Sequence, residues 1–259
     1  MSITVRDLCF SYGTRSVLTD VGFTAESSTL IAVLGPNGVG KTTLFRCILG
    51  LQRHYDGFIS VDGDDAKRLS AKELAHRIAY IPQIHAQTFG YTVLDMVLMG
   101  TSHAVSSLTL PGKRETETAM AALDRLGIAS LAEKNFTHLS GGEQQLVLIA
   151  RALAQQAKTL LMDEPTASLD YGNQAHVLNI VRGLADEGYT VILSTHNPQH
   201  ALWYADTALA LSAGRVAAFG APSDVMDAAL IEQLYHLRVE LIETAAGPLI
   251  APVVSGRTS

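Results

Sequence analysis

The residues with the clearest chemistry lie in a glycine-rich stretch that reads GPNGVGKTT over residues 35–43. It stands between an apolar run and a helical pattern, and it matches the phosphate-binding pattern G-x-x-x-x-G-K-[ST] in full. Glycines allow the backbone N–H groups to wrap around phosphate oxygens, and the next helix presents its N-terminal dipole to the same anion. Lys41 is placed to reach the terminal phosphates and Thr42 to ligate Mg²⁺. A plain turn with a surface lysine is the weaker reading, so the pattern predicts a nucleoside triphosphate site.

An acidic pair follows a second apolar run, in the stretch TLLMDEP. A carboxylate at the carboxyl end of a strand beside a phosphate loop is able to hold the metal, directly or through water. Asp163 is placed for that role, and the adjacent Glu164 is placed to polarise an attacking water as general base. Alone, such a pair is often a solvated loop start. The phosphate-binding pattern earlier in the chain favours the catalytic reading.

A third stretch, THLSGGEQQ at residues 137–145, is unusual because of its glycines. Ser140 and Glu143 have the spacing of a capping box, in which each side chain satisfies an exposed backbone donor at a helix start. Capping does not require glycine at positions 141 and 142, where helix propensity is poorest. The pattern indicates that something approaches this backbone closely.

The elements that must position these residues form an alternating series. Short apolar runs at 29–35, 159–164 and 190–195 alternate with helical patterns, which favours a parallel sheet flanked by helices. Residues 1–30 alternate with period two and indicate antiparallel strands. Strand signals vanish between about 88 and 150, where helices are expected. After about 215 we expect a turn, a short strand, a helix near 223–236 and an irregular tail.

Composition excludes several classes of protein. The net charge of −6 gives no reason to expect nucleic acid binding. No apolar run approaches the ~18–20 residues that span a bilayer, and the first residues lack the layout of a signal peptide. Cys9 and Cys47 are isolated in sequence, so neither zinc nor a disulfide framework is indicated. The composition is typical of a soluble cytosolic protein.

Taken in order, the motifs resemble those of the ATP-binding subunits of ABC transporters, over about residues 3–240. The resemblance implies an adenine-stacking aromatic, a Walker A loop, a Q-loop glutamine, the ABC signature, a Walker B strand with its catalytic glutamate, a D-loop and a switch histidine. It assigns catalysis to Glu164, His196 and Gln83, and Mg²⁺ ligation to Thr42, Gln83 and Asp163. The implied ATP-binding residues are Tyr12, Gly35, Pro36, Asn37, Gly38, Val39, Gly40, Lys41, Thr42, Thr43, Ser140, Gly141, Gly142 and Asp170.

The resemblance also offers an answer for the signature glycines. In this family two copies enclose two ATP molecules, and the signature of each copy faces the nucleotide held by the other. Ser140, Gly141 and Gly142 are then expected to contact γ-phosphate across the dimer interface. Glu143 departs from the pattern, because glutamine is common there. We expect its carboxylate to serve the capping box and to turn away from the phosphate.

The implied fold is α/β: a P-loop NTPase core with a mostly parallel sheet, an N-terminal antiparallel β subdomain and an inserted helical subdomain. The expected ATPase domain covers residues 1–240, with the insertion at about 88–150 and a tail at 241–259. Expected partners are a second copy, integral-membrane permease subunits and, indirectly, a substrate-binding protein, with no nucleic acid. The resemblance places the chain as a peripheral protein on the cytoplasmic face of the inner membrane.

Finer matches narrow the class of transporter. The stretches TVLDMVLMG, RETETAMAALDRLGI and HNPQHALWYAD resemble ATPases of importers for iron–siderophores, haem and cobalamin. Importers of zinc, manganese or molybdate remain alternatives, as does an ABC ATPase that serves a soluble machine. We also expect Phe89 and Tyr91, just before a helix, to contact the permease. Leu94, Val97 and Leu98 are expected to pack inside the helical subdomain instead.

Overall fold

The computed structural model describes residues 2–83, 90–104, 112–245 and 247–253. The strands in these ranges are β1 (Ile3–Tyr12), β2 (Arg15–Ala25), β3 (Leu30–Leu34), β4 (Asp56–Val61), β5 (Asp64–Asp65), β6 (Ile78–Ile81), β7 (Thr159–Met162), β8 (Thr190–Thr195), β9 (Thr207–Ser212), β10 (Arg215–Gly220), β11 (Val239–Thr244) and β12 (Gly247–Pro252). The α-helices are α1 (Lys41–Ile48), α2 (Ala71–Arg77), α3 (Val93–Leu98), α4 (Lys113–Arg125), α5 (Gly141–Ala154), α6 (Tyr171–Asp186), α7 (Pro198–Tyr204), α8 (Pro222–Val225) and α9 (Ala228–Tyr235). Short 3-10 turns cover Met99–Ala104, Ala129–Leu131 and Phe136–His138.

The central sheet has the strand order β10-β9-β3-β8-β7-β6. Neighbouring strands run parallel from β9 to β6, and β10 runs antiparallel at one edge. Every residue of β3, β7 and β8 is buried, as expected for strands covered on both faces. Because the strands are parallel, the segments that follow β3, β6, β7 and β8 meet at one edge of the sheet. This edge positions the predicted site.

A second, antiparallel sheet has the order β2-β1-β4-β5. It includes the antiparallel strands predicted within residues 1–30 and extends the pairing to Asp65. Its inward side chains form one core with α1 and one face of the central sheet; Phe45 and Leu44 of α1 are fully buried there. This core fixes α1, and therefore the glycine-rich loop before it, against the sheet.

Helices α3, α4 and α5 lie between β6 and β7, where the sequence lacks strand signals. Val97 is fully buried, and Leu94 and Leu98 pack against the same core, as predicted. The predicted α/β class, with its mostly parallel sheet, antiparallel β part and helical insertion, is confirmed. Within the ranges that the structure describes, no helix combines the length and the apolarity needed to cross a membrane.

The C-terminal region differs from the prediction in two ways. The structure has two helices, α8 and α9, in place of the single helix expected near 223–236. The helical conformation is interrupted at Met226, and Asp227 then caps α9 by accepting a hydrogen bond from Leu230 N at its Oδ1 (2.7 Å). The tail expected to be irregular contains a hairpin of β11 and β12. Contacts with α7 hold this hairpin: Pro248 O accepts from Gln199 Nε2 (2.9 Å) and Trp203 Nε1 (3.0 Å).

Candidate active site

The glycine-rich loop joins β3 to α1 at the carboxyl edge of the central sheet. Gly40 shows why glycine is needed: its φ of 114° is in the left-handed region, and a Cβ there would lie 2.8 Å from Leu18 Cδ2. The loop opens onto a cavity of about 280 Å³, whose lining residues are Asn37, Gly38, Gly40, Lys41, Thr42, Thr43, Gln83 and Glu164. Residues from three separate stretches of the sequence therefore meet around one cavity.

Lys41 is almost completely buried at the floor of this cavity. Its Nζ donates to Gly35 O (2.7 Å) and Pro36 O (3.2 Å) and lies 3.2 Å from Glu164 Oε1. The two backbone bonds hold the ammonium group in place. The carboxylate is the contact that an incoming phosphate, also an anion, is able to replace.

Glu164 follows β7 and bridges two side chains of the site, Lys41 and His196. Its Oε1 faces Lys41, and its Oε2 lies 3.2 Å from His196 Nδ1. Its φ of 46° is unusual for a residue with a side chain and corresponds to about 1–3 kcal/mol of backbone strain. The side chain is largely buried while the His196 ring is half exposed, so the histidine covers the carboxylate on its outer side.

Ser194 and Tyr80 position the acidic pair, and the sequence motifs do not include either. Ser194 Oγ donates to Asp163 Oδ1 (2.6 Å) and accepts from Glu164 N (2.9 Å), so one hydroxyl fixes both acidic residues. Tyr80 OH donates to Asp163 Oδ2 at 3.4 Å. Burial and then the Asp163 charge raise the pKa of Tyr80 to about 12, which keeps this phenol protonated as a donor. Both residues are on strands next to β7, but their sequence separation from Asp163 hides the contact.

The turn that carries His196 has its own support. Asn197 N donates to Thr195 Oγ1 (3.0 Å), and Asn197 Nδ2 lies 3.0 Å from His200 Nε2. Burial, with a smaller effect of His196, lowers the pKa of His200 to about 4. His200 is therefore neutral near pH 7 and accepts the amide of Asn197 with its unprotonated nitrogen. This contact fixes the turn beside Glu164.

A further residue absent from the motifs, Tyr235, comes from the end of α9. Its hydroxyl oxygen is buried and has no hydrogen-bond partner among the residues that the model describes. Burial raises the pKa of Tyr235, and so does the nearby charge of Glu164, whereas the Gly35 N–H, which is near the hydroxyl but outside hydrogen-bond geometry, lowers it. The C-terminal helix therefore reaches the back of the phosphate loop. Nothing in the pattern IEQLYHL distinguishes this tyrosine from an ordinary core aromatic.

The oxygen donors at the cavity suit a hard cation. Thr42 and Gln83 line it with a hydroxyl and an amide oxygen. Asp163 is buried behind it and is oriented by Ser194 and Tyr80. Hydroxyl, amide and carboxylate oxygens, together with phosphate oxygens, are the ligands that Mg²⁺ prefers. These three residues therefore fit the predicted metal site.

Five of the predicted residues lie apart from both the phosphate loop and the group around the acidic pair. Tyr12 ends β1, is 44% exposed, and packs edge-on against Phe10 with 4.8 Å between ring centres. Ser140, Gly141 and Gly142 begin α5, and Asp170 begins α6. Of the two residues expected at the permease, Tyr91 is 42% exposed, and Phe89 lies outside the described residues.

The start of α5 has the predicted capping box. Ser140 Oγ accepts from Glu143 N (3.4 Å), while Glu143 Oε2 accepts from Ser140 N and Ser140 Oγ (both 2.8 Å). Hydrogen bonds from the Ser140 side chain and backbone lower the pKa of Glu143. The carboxylate is thus used within its own helix start, as expected from the sequence.

A family model described as ABC transporter matches residues 18–167, more than half of the chain. The chain belongs to the ABC transporter family. It is an ATPase of that family, as the phosphate loop and acidic pair predict.

Two relatives and one solved structure illustrate the similarity. A hemin import ATP-binding protein of Thermobifida fusca (strain YX) is 38% identical over 96% of this chain and 87% of its own. A molybdate import ATP-binding protein of Haemophilus influenzae (strain ATCC 51907 / DSM 11121 / KW20 / Rd) is 36% identical over 91% and 88%. A metal-chelate type ABC transporter, solved in an inward-facing conformation, superposes with a TM-score of 0.87 at 33% identity and 98% coverage of both chains.

Proposed function

We propose that this ABC ATPase is the ATP-hydrolysing subunit of an importer and drives uptake of a metal chelate through a separate permease. Two copies enclose two Mg-ATP, each between one chain's phosphate loop and the other's signature. In this proposal the chain is peripheral, on the cytoplasmic face of the membrane. The observation that carries it is the convergence of Lys41 and Glu164 at one cavity beside the phosphate loop, with His196 on the other carboxylate oxygen of Glu164, away from the signature at Ser140.

The separation of the phosphate-loop cavity from the signature at the start of α5 supports a dimer. The cavity has donors for phosphate on one side, while the N–H groups of Gly141 and Gly142 have no hydrogen-bond partner within the described residues. Free amides at a helix start favour an anion. A second copy places such a helix start opposite the open side of the cavity.

In the proposed mechanism, Lys41 moves its charge from Glu164 to the terminal phosphate. Glu164 is then free to accept a proton from the attacking water, and His196 on the other carboxylate oxygen keeps it oriented. Bound Mg²⁺ supplies neutralisation of the charge that develops on the phosphate oxygens. Opening and closing of the dimer with each ATP is the motion that the permease follows.

The cargo is a proposal from the named relatives. The hemin relative and the metal-chelate neighbour favour a chelate such as haem, an iron–siderophore or cobalamin. The molybdate relative supports an oxyanion as the second candidate. Purification of the complete complex and mass spectrometry of its bound solute separates the two.

Glu164→Gln tests the catalytic assignment. The amide keeps the size of the side chain but is unable to take a proton, so we expect turnover to fall by ~10²–10⁴-fold while ATP binding persists. We also expect the variant to form a stable dimer with Mg-ATP, measured by light scattering. Glu187→Gln is the control, because Glu187 is an exposed carboxylate paired with Arg125. Near-normal ATP hydrolysis by Glu164→Gln would contradict the assignment.

Tyr91 is the proposed contact with the permease. It stands immediately before α3, whose Val97 faces the core, and its side chain is partly exposed. An aromatic anchor at an interface typically contributes ~2 kcal/mol or more. We expect Tyr91→Ala to weaken co-purification with the permease while ATP binding by the free subunit is unchanged, and Phe58→Ala in β4 to change neither. Normal transport by Tyr91→Ala in vesicles would remove Tyr91 from the interface.

A further inference from the structure

The starts of α5 and α6 touch each other through a position without a side chain. A Cβ added to Gly142 would lie 2.6 Å from Asn173 Oδ1 and 2.8 Å from Asn173 Cγ. Both distances are far shorter than any Cβ contact tolerates. A larger residue at position 142 would therefore displace the Asn173 side chain, which occupies the space beside Gly142.

Gly141 differs in this respect. A Cβ there would meet only Leu169 Cδ2 at 3.4 Å and Ser168 O at 3.7 Å, which are acceptable contacts. The absence of a side chain thus has a different consequence at each of the two signature glycines. Gly141 leaves space on the outer surface, and Gly142 leaves space for Asn173.

The orientation of Asn173 is set by Asp170. Asn173 N donates to Asp170 Oδ1 (2.9 Å), and Asn173 Nδ2 donates to Asp170 Oδ2 (2.7 Å). Because the amide nitrogen must face the carboxylate, the amide oxygen is the atom that faces Gly142. A single side chain therefore connects the Asp170 carboxylate to the backbone of the signature.

We infer that Asn173 is a positioning residue that locks the signature helix start to the helix start after Asp170, so that both reach the partner copy's nucleotide as one unit. The inference rests on the proposed dimer. The two helix starts are coupled because the Asn173 side chain fills the space beside the Gly142 backbone. Asn173 does not line the cavity at the chain's own phosphate loop.

The test is a double-mutant cycle on the full chain, with kcat and KM for ATP measured separately. We expect Gly142→Ala to lower kcat by ~10²-fold, since the methyl group displaces the helix starts by about 1 Å. We expect Asn173→Ala to lower kcat by a smaller factor with KM unchanged. In the double variant the two shortest contacts disappear and only a 3.3 Å contact with the remaining Cβ stays.

The double variant is therefore expected to be about tenfold more active than Gly142→Ala alone, within the range for coupled neighbours. Asn173→Asp is the conservative variant: it keeps the volume but places a second carboxylate against Asp170, so it should lower kcat more at pH 7 than at pH 4. The pH dependence reports on the contact of residue 173 with Asp170, and the recovery in the double variant reports on its contact with residue 142. If the double variant is no more active than Gly142→Ala, the inference is wrong.

Failure of the proposed function gives a different result. If Glu164→Gln does not dimerise with Mg-ATP, the dimer itself is wrong, whatever the cycle shows. If Glu164→Gln dimerises and the cycle shows no recovery, only the role of Asn173 is wrong.

Discussion

Helices α5 and α6 begin with the same backbone arrangement but with different chemistry. The two starts read LSGGEQ and LDYGNQ, with the cap residues Ser140 and Asp170 in the same place. In the first, Gln144 Nε2 donates to Phe136 O (3.2 Å) and Leu139 O (3.3 Å). In the second, Gln174 Nε2 donates to Thr166 O (3.4 Å) and Leu169 O (2.9 Å). One scaffold thus holds both turns.

The two starts carry their carboxylates at different positions: in α6 the cap Asp170 is itself the anion, whereas in α5 the cap is neutral and the carboxylate, Glu143, is the third helical residue. The Asn173 backbone and side chain, and to a smaller extent the Gly172 N–H, lower the pKa of Asp170, so a carboxylate already occupies the positive end of α6. Ser140 is neutral and accepts only the N–H of Glu143. The remaining N–H groups at the start of α5 are available to an external anion.

The first helical residue also makes the start of α5 more open to an external group than the start of α6. It is Tyr171 in α6, with 79% of its surface exposed, and Gly141 in α5. A tyrosine at this position prevents close approach to the backbone, whereas glycine permits it. The comparison teaches that the signature is an ordinary capped helix start from which the blocking groups are missing.

Between the two helix starts, the larger expected effect comes from adding one methyl group at the start of α5, with the same change at the start of α6 as the control. Gly141→Ala should fold normally, because its Cβ has acceptable contacts, yet it should lower ATP hydrolysis by ~10²-fold by holding the partner's phosphate about 1 Å away. Gly172→Ala is the matched control: its Cβ would meet only Asp170 Oδ1 at 3.6 Å. We expect it to keep its activity and to gain up to ~1 kcal/mol of stability from helix propensity.

Steady-state hydrolysis and thermal unfolding of both variants decide the matter. Equal activity of Gly141→Ala and Gly172→Ala would show that nothing approaches the start of α5 from outside. The contrast between the two helix starts would then be one of capping alone.

The phosphate loop and the acidic pair were predictable from sequence because each is a short local pattern. Gly40 and Lys41 are needed wherever this loop joins a strand to a helix. The supports were not predictable: Ser194 lies 31 residues from Asp163, and Tyr80 lies 83 residues away. Only the order of the parallel strands makes them neighbours.

The errors in the C-terminal region have a similar origin. Gly247 and Pro248 lower the intrinsic preference for a strand, so the tail looked irregular. Bonds from Gln199 and Trp203 to Pro248 O hold β12 in place through tertiary contact. The proximity of Gly142 to Asn173 of the same chain was hidden in the same way, because a glycine in the sequence does not reveal which neighbouring side chain occupies the space beside it.

The smallest expected effect concerns Glu143, the third residue of α5. Its hydrogen bonds with Ser140 lower the pKa of its carboxyl from the usual 4.5, so the ionised form stabilises the folded chain above that pH. This contribution is lost as the pH falls through the folded-state pKa. We expect Glu143→Gln to reduce the free energy of unfolding at pH 7 by less than about 1 kcal/mol, and the difference from the parent chain to close in acid.

Glu73→Gln is the matched control, because Ser70 and Glu73 form the same capping box at the start of α2, outside the cavity lining. Both variants should show the same pH dependence of thermal unfolding, since the lowered carboxyl pKa has the same local cause in each. Both should also hydrolyse ATP at the parent rate, because each carboxylate is turned toward its own cap. A tenfold loss of hydrolysis confined to Glu143→Gln, about 1.4 kcal/mol in the barrier, would instead place Glu143 against the nucleotide. The part of the signature that contacts the partner's nucleotide would then include Glu143 as well as Gly141 and Gly142.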